Sequence, residues 1–179
     1  MEFRMEQNIV HPLRIHRDIL MELEESLILC DTGIEHDSGD IHQDQRQHMQ
    51  EDGVRKNVRS NVDLTYNMRN HLLRGNLLEF GQLLHEAWQL KRQYSSKIST
   101  HRLDLIYADA RNHGAVGGKI LGAGGGGFFL FYVQPFRKHE LIKSIKAAGL
   151  KIRSFQFESN GLLAWSAREC GNHQETVRP

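Results

Sequence analysis

Cysteine is almost missing from these 179 residues, with Cys30 and Cys170 the whole supply. Two thiols so far apart build neither a disulfide framework nor a zinc site, and a reducing cytoplasm is the expected location. An excess of one charge is missing too, since 23 Lys and Arg stand against 22 Asp and Glu, for a formal charge of +1. Nothing there draws a nucleic acid or an anionic membrane, so neither is an expected partner. No apolar run approaches the roughly 20 residues that span a bilayer, and the charged N-terminus is unlike an export signal. Glycine is the opposite case. Of 16 glycines, seven fall in "GGKILGAGGGGFFLFYV", residues 117 to 133.

The remaining segments carry ordinary periodic signals. "MEFRMEQNIVHPLRI" reads as a strand with Ile9, Val10, Leu13 and Ile15 as its apolar content, limited by Pro12 to an edge or a strand end. Ile19, Leu20 and Leu23 have helical spacing, and Leu27 to Cys30 form a buried strand ended by Thr32-Gly33. Glu35 to Lys56 is polar, with only Ile41 and Met49 as a thin stripe, and is a solvated helix or a partly mobile arm. From Val54 on, Val58, Val62, Thr65, Tyr66, Arg69 and Leu72 recur at three and four; after Gly75-Asn76, Leu77, Phe80, Leu84 and Trp88 repeat the pattern, which predicts a helical hairpin. A third helix is capped by Ser99 or Thr100 and stops at Asn112-His113-Gly114. "FFLFYV" is apolar on both faces and therefore central in its sheet. A helix over 137–148 ends at Gly149, and "LKIRSFQF" and "GLLAWSA" form a hairpin through "ESNG". The order predicts an α+β fold, one antiparallel sheet with helices packed on one face. It places a single domain over 1–170, with its strand region at 1–15 cut short, and a disordered tail over 171–179.

Four readings compete for the glycines. Gly122-Ala123-Gly124-Gly125-Gly126-Gly127 fits the dinucleotide pattern G-x-G-x-x-G, but that pattern needs a strand before it and a helix after it. A helix before and a strand after is the expectation here, which excludes it. A Walker A loop is excluded because Ile120 follows Gly118-Lys119 and His113 stands at the leading glycine. A bend into the strand needs one or two glycines; five in six residues exceed that need. Their freedom of φ and missing Cβ atoms suit a nest of N–H groups around a phosphate. Gly117 and Gly118 read as the turn leading to Lys119, more tolerant of alanine than the nest.

"GAVGGKILGAGGGGFFLFYV" resembles the third motif of the GHMP small-molecule kinases. Together with "VHPLRI", "DTGIEHDSGDIHQDQ" and "LLHEAWQLKRQYSSKIS" it is most similar to the sugar kinases that act on D-glycero-D-manno-heptose 7-phosphate. The resemblance runs from Ile9 to Trp165 and implies the ferredoxin-like C-terminal half of such a kinase. It implies phosphoryl transfer from ATP with Mg²⁺ to a sugar phosphate, with Lys119, Gly122, Ala123, Gly124, Gly125 and Gly126 at the phosphate cleft. The family's P-x-x-x-G-L-G-S-S-type loop and its catalytic acid lie in an N-terminal half and have no counterpart in this sequence, so no catalytic residue is assigned. Inactivity alone is the expectation, with a separate N-terminal half or self-association as partner; a non-catalytic ligand- or partner-binding remnant is the alternative.

His36, His42 and His48 with Asp31, Asp37, Asp40 and Asp44 have no metal-ligand spacing and read as a solvated face, so no metal site is expected. Within the resemblance, Thr32, Gly33 and Ser38 lie near the sugar site. Lys91 follows Leu84 by seven and Leu77 by fourteen, in line with the apolar face of its helix. It either snorkels past the core or faces a ligand. Trp88, one turn earlier, is a core residue or a sugar platform.

Overall fold

The computed structural model describes residues 1–3, 5–35, 38–158 and 160–165. In chain order the elements are β1 (Glu2–Phe3), β2 (Asn8–Ile9), α1 (Arg17–Ser26), β3 (Leu27–Asp31), α2 (Ser38–His48), α3 (Asp52–Arg74) and α4 (Leu77–Lys91). They continue with α5 (His101–Asn112), β4 (Ala115–Ile120), β5 (Phe128–Val133), α6 (Lys138–Ala147) and β6 (Lys151–Arg153). A strand of six apolar residues needs cover on both sides, and β5 has it. The four-stranded sheet runs β4-β5-β3-β6, antiparallel throughout, beside a two-stranded β1-β2 ribbon. The α+β class with an antiparallel sheet is the one the segment order predicts.

Alternate residues of β5 enter two apolar clusters, as the two-residue period of a strand requires. Phe129, Phe131 and Val133 pack with Ile28, Cys30, Ile120, Trp88, Leu103, Tyr107, Leu141 and Ile145. Leu130 and Tyr132 pack with Leu23, Leu27, Leu77 and Leu84. Helix boundaries follow local chemistry. Gly75 closes α3 in the left-handed conformation (φ +74°), Gly149 does the same after α6, and Thr100 caps α5 by accepting from the Leu103 N–H. Cys30 lies wholly buried, and burial pushes its thiol up to about 11, which leaves it an unreactive core residue. No helix among the described residues is long and apolar enough to cross a membrane.

Three expectations change, and one open alternative is decided. The strand over Ile9 to Ile15 is not formed: only Asn8–Ile9 pairs, and the chain through Pro12 has no regular structure. The polar stretch takes the first of its two readings, a largely exposed helix, α2, followed by a turn into α3. At the C-terminal end, among the described residues, only Lys151–Arg153 is a strand; Leu162, Leu163 and Trp165 are exposed outside regular structure, and Ser159, Ser166 and Ala167 of the expected hairpin and the tail over 171–179 lie outside the described residues.

The largest change is at Gly117 and Gly118, which stand in strand β4 rather than in a turn. A Cβ on Gly117 would lie 2.0 Å from the Gly81 carbonyl oxygen of α4, and one on Gly118 would lie 2.5 Å from Phe131 Cδ1. Gly81 is equally confined, its missing Cβ 2.2 Å from Tyr132 Cδ1. Helix α4 thus lies backbone to backbone on β4. The expected tolerance of alanine is therefore reversed: Gly117→Ala should cost roughly 1–3 kcal/mol or more by overpacking, read as a lower midpoint in urea. Trp88, fully buried and edge-on to Phe129 with ring centroids 5.6 Å apart, belongs to the core and not to a sugar platform. Trp88→Ala should lower stability by roughly 3–5 kcal/mol in the same measurement, and an unchanged midpoint would refute the core assignment.

Candidate phosphate-binding site

Residues 121–127 connect β4 to β5, closed at the base where the Leu121 N–H donates to the Phe128 carbonyl over 2.9 Å. A strand precedes the loop instead of the expected helix, and a strand follows it; with no helix after the glycines, the dinucleotide reading stays excluded. Positive φ at Gly122 (+71°), Gly124 (+124°), Gly125 (+75°) and Gly127 (+81°) explains the residue type at those four positions. The loop is also clasped. Gly125 N–H donates to the Ile98 carbonyl at 2.8 Å and Gly127 N–H to that of Ile34 at 3.0 Å. The Gly127 carbonyl accepts from the Thr32 N–H at 2.9 Å and from Thr32 Oγ1 at 2.7 Å. Gln45 of α2 donates to the Ala123 carbonyl at 3.0 Å, and a Cβ on Gly124 would meet Ile98 Cα at 2.9 Å.

The nest is consequently smaller than the sequence suggests. The Gly125 and Gly127 donors hold the chain's own carbonyls, and Ala123 to Gly126 are buried. Gly122 is exposed, with nothing within 4 Å of where a Cβ would stand, and is the open corner of the loop.

Lys91 reaches that corner, with Lys119 as its neighbouring charge. Lys91, the last residue of α4, donates from Nζ to the Gly122 carbonyl. Lys119 lies in β4 with the same side-chain direction as Gly117, toward α4. Both are half-buried. Burial is the main cause that pulls Lys91 down to about 8, with the neighbouring Lys119 charge adding to it; burial lowers Lys119 as well. Among the described residues Lys97 pairs with Asp40 and Lys138 with Glu25, whereas no carboxylate pairs with Lys91 or Lys119. Two adjacent desolvated cations without an acid repel each other and suit an anion.

The other sequence candidates separate from this corner. Thr32 is buried and holds the loop from inside the sheet, so it positions Gly127 and is closed to a sugar. Gly33 lines a different, small cavity of about 130 Å³ with Asp31, Arg102 and Lys151. Ser38 is exposed at the start of α2. No group of three or more His, Cys, Asp or Glu among the described residues could hold a metal ion. Sequence reasoning missed Gly81, Ile98 and Gln45. A lone glycine inside a helical pattern was a legible signal for Gly81; Ile98 and Gln45 act through a carbonyl and an amide that no pattern marks.

Residues 68–150 match the family model described as GHMP kinases C terminal. Over 157 residues the chain is 31% identical to the D-glycero-alpha-D-manno-heptose 7-phosphate kinase of Campylobacter jejuni, covering 88% of this chain and 46% of that protein. It therefore spans less than half the length of that relative. A putative sugar kinase from Campylobacter jejuni has a similar solved structure, with TM-score 0.59, 30% identity, and coverage of 84% of this chain and 42% of the other. The mevalonate kinase of L. major, solved with R-mevalonate, gives TM-score 0.61 at 27% identity over 68% of this chain and 37% of the other. The glycine loop between β4 and β5 and helices α4 to α6 all fall within the matched segment, and the chain carries a GHMP kinase C-terminal domain.

Proposed function

We propose that this domain serves an ATP-dependent kinase of the cytoplasm that transfers a phosphoryl group to a sugar phosphate. The single observation that carries the reading is the unpaired Lys91–Lys119 couple set against a glycine corner open at Gly122. Phosphoryl transfer is achieved mainly by positioning and charge neutralisation, which are what fixed backbone and ammonium groups supply. The Campylobacter jejuni relative is named for a heptose 7-phosphate, and that supports a sugar phosphate as acceptor. ATP would bring Mg²⁺ with it. The described residues offer no metal cage, so the ligands of that ion would come from the nucleotide and from a second protein segment.

In this reading the chain's residues bind and orient. Lys91 and Lys119 hold negative charge at the mouth of the loop. Ile98, Ile34 and Thr32 keep the loop rigid, and the missing side chain of Gly122 leaves room for close approach. No acid or nucleophile in the described residues is assigned to the chemistry. An N-terminal kinase half would complete the cleft. The exposed Phe3, Met5, Val10 and Leu13 at the N-terminal end give such a partner apolar surface to cover.

The test is ADP release from the purified chain with ATP, Mg²⁺ and heptose 7-phosphate, alone and with the separately made N-terminal half of the Campylobacter jejuni relative. No ADP alone and ADP in the mixture is the expected result; no turnover in either leaves a binding domain without catalysis. Within an active mixture, Gly124→Val should abolish turnover, because its side chain displaces the Ile98 clasp. Gly122→Ala is the sharper probe: it meets no protein atom, so its cost to stability stays at roughly 1–2 kcal/mol of left-handed strain. Full turnover in Gly122→Ala would mean that no ligand approaches this corner.

A further inference from the structure

We infer that Lys91 and Lys119 form one site for a phosphate dianion, and that Lys91 takes up a proton as the site fills. The inference rests on the reading of this corner as a phosphate cleft and adds which charge state is selected and how.

The surroundings of Lys91 can be gone through element by element. On its own helix Glu79 and Glu86 are exposed, and just past the helix end Arg92 is paired with Asp104 of α5 at 2.8 Å. From β4 the facing charge is Lys119. The loop over 121–127 contributes only carbonyls and amides, one of which, the Gly122 carbonyl, accepts from Lys91. From α2, Gln45 arrives as a neutral amide, while Asp44 accepts from Ser95 and lies 3.4 Å from His48, and Asp40 is bound by Lys97. From α3, Asn57 and Asn61 bond Gln93 and Tyr94 just beyond the end of α4. Among the described residues no carboxylate forms an ion pair with either lysine. Desolvation and mutual repulsion therefore favour loss of one proton from the couple, and Lys91, already lowered to about 8, is where it leaves.

A dianion reverses both effects. It restores an opposite charge beside each ammonium, so the proton returns from solvent to the Lys91 lone pair and no other bond changes. A carboxylate, with a single charge, balances only one of the two lysines. The site thus favours a phosphomonoester over a carboxylate, and binding should be tightest between about pH 6, where phosphate loses its second proton, and about pH 8, above which free Lys91 is mostly neutral. The acceptor's phosphate and a terminal nucleotide phosphate share this chemistry.

The experiment is calorimetric titration of the full chain with glucose 6-phosphate, ATP and acetate at pH 8, in two buffers of different ionisation enthalpy. The phosphomonoester should bind with uptake of a fraction of a proton from solution, seen as a buffer-dependent enthalpy, since burial and the Lys119 charge lower Lys91 toward that pH. Lys119→Met should weaken binding by about tenfold through loss of a charged hydrogen-bond donor. Lys91→Arg should keep binding but lose the proton uptake, because arginine does not titrate there. Acetate should bind more weakly than either phosphate, and the tighter of glucose 6-phosphate and ATP tells which source fits. Equal enthalpies in both buffers, or unaltered proton uptake in Lys91→Arg, overturn the inference, and a lysine serving only to tie the loop would give that result. Proton-linked phosphate binding without ADP in the reconstituted mixture keeps this inference and sinks the kinase reading. ADP formation with unchanged phosphate affinity in Lys119→Met does the reverse.

Discussion

Helix α4 and strand β4 touch through two glycines, and the geometry of the site depends on that contact. At Gly81 and Gly117 neither chain has a side chain to hold the other away; a Cβ on either would enter the Tyr132 ring or the Gly81 carbonyl. The contact sets the two elements side by side. Ten residues of helix from Gly81 to Lys91 rise about 15 Å, and five residues of extended chain from Gly117 to Gly122 cover about 16 Å, so both arrive at the same place. The hydrogen bond from Lys91 to the Gly122 carbonyl is the consequence. A larger residue at either glycine would lift the helix and carry Lys91 away from the loop.

The loop itself is held by backbone rather than by side chains. Ile98 follows α4, Ile34 and Thr32 follow β3, and Gln45 belongs to α2, so three separate stretches of chain converge on seven residues. Satisfying buried amides in this way removes the penalty of unpaired donors and fixes a glycine-rich segment in one conformation. It also divides the glycines by duty. Gly124 permits close approach of Ile98, Gly125 and Gly127 present donors to other carbonyls, and only Gly122 turns outward.

The lysine couple works against stability under some conditions and for binding under others. Because Lys91 is lowered in the folded chain from 10.5 to about 8, the unfolded chain binds the proton more tightly between those values. The sign follows from linkage: stability from this group rises with pH across about 8 to 10.5 and is reduced below it. An anion at the site removes that penalty, which is a physical reason for a fold to keep two desolvated cations together without an acid.

Period and capping in the sequence determined the helices, because α3 to α6 carry continuous apolar stripes and Thr100, Gly75 and Gly149 mark three of their ends. The inner position of β5 was equally legible, since apolar residues on both faces allow no edge. Strand β4 was not, because Ala115, Gly117 and Gly118 bring so little side chain that no alternation exists to be read. The strand near Pro12 and the described part of the second strand of the C-terminal hairpin, residues 161–165, had the right composition but found no neighbour in the sheet. At the site, the glycine run and Lys91 were visible as residue types of suggestive chemistry, and the alternative of a snorkelling lysine stayed open. Only the tertiary structure brought Lys91 and Lys119 together, 28 residues apart in sequence, because their meeting depends on how closely a helix can lie on a strand, and that distance is set by the absence of side chains at Gly81 and Gly117.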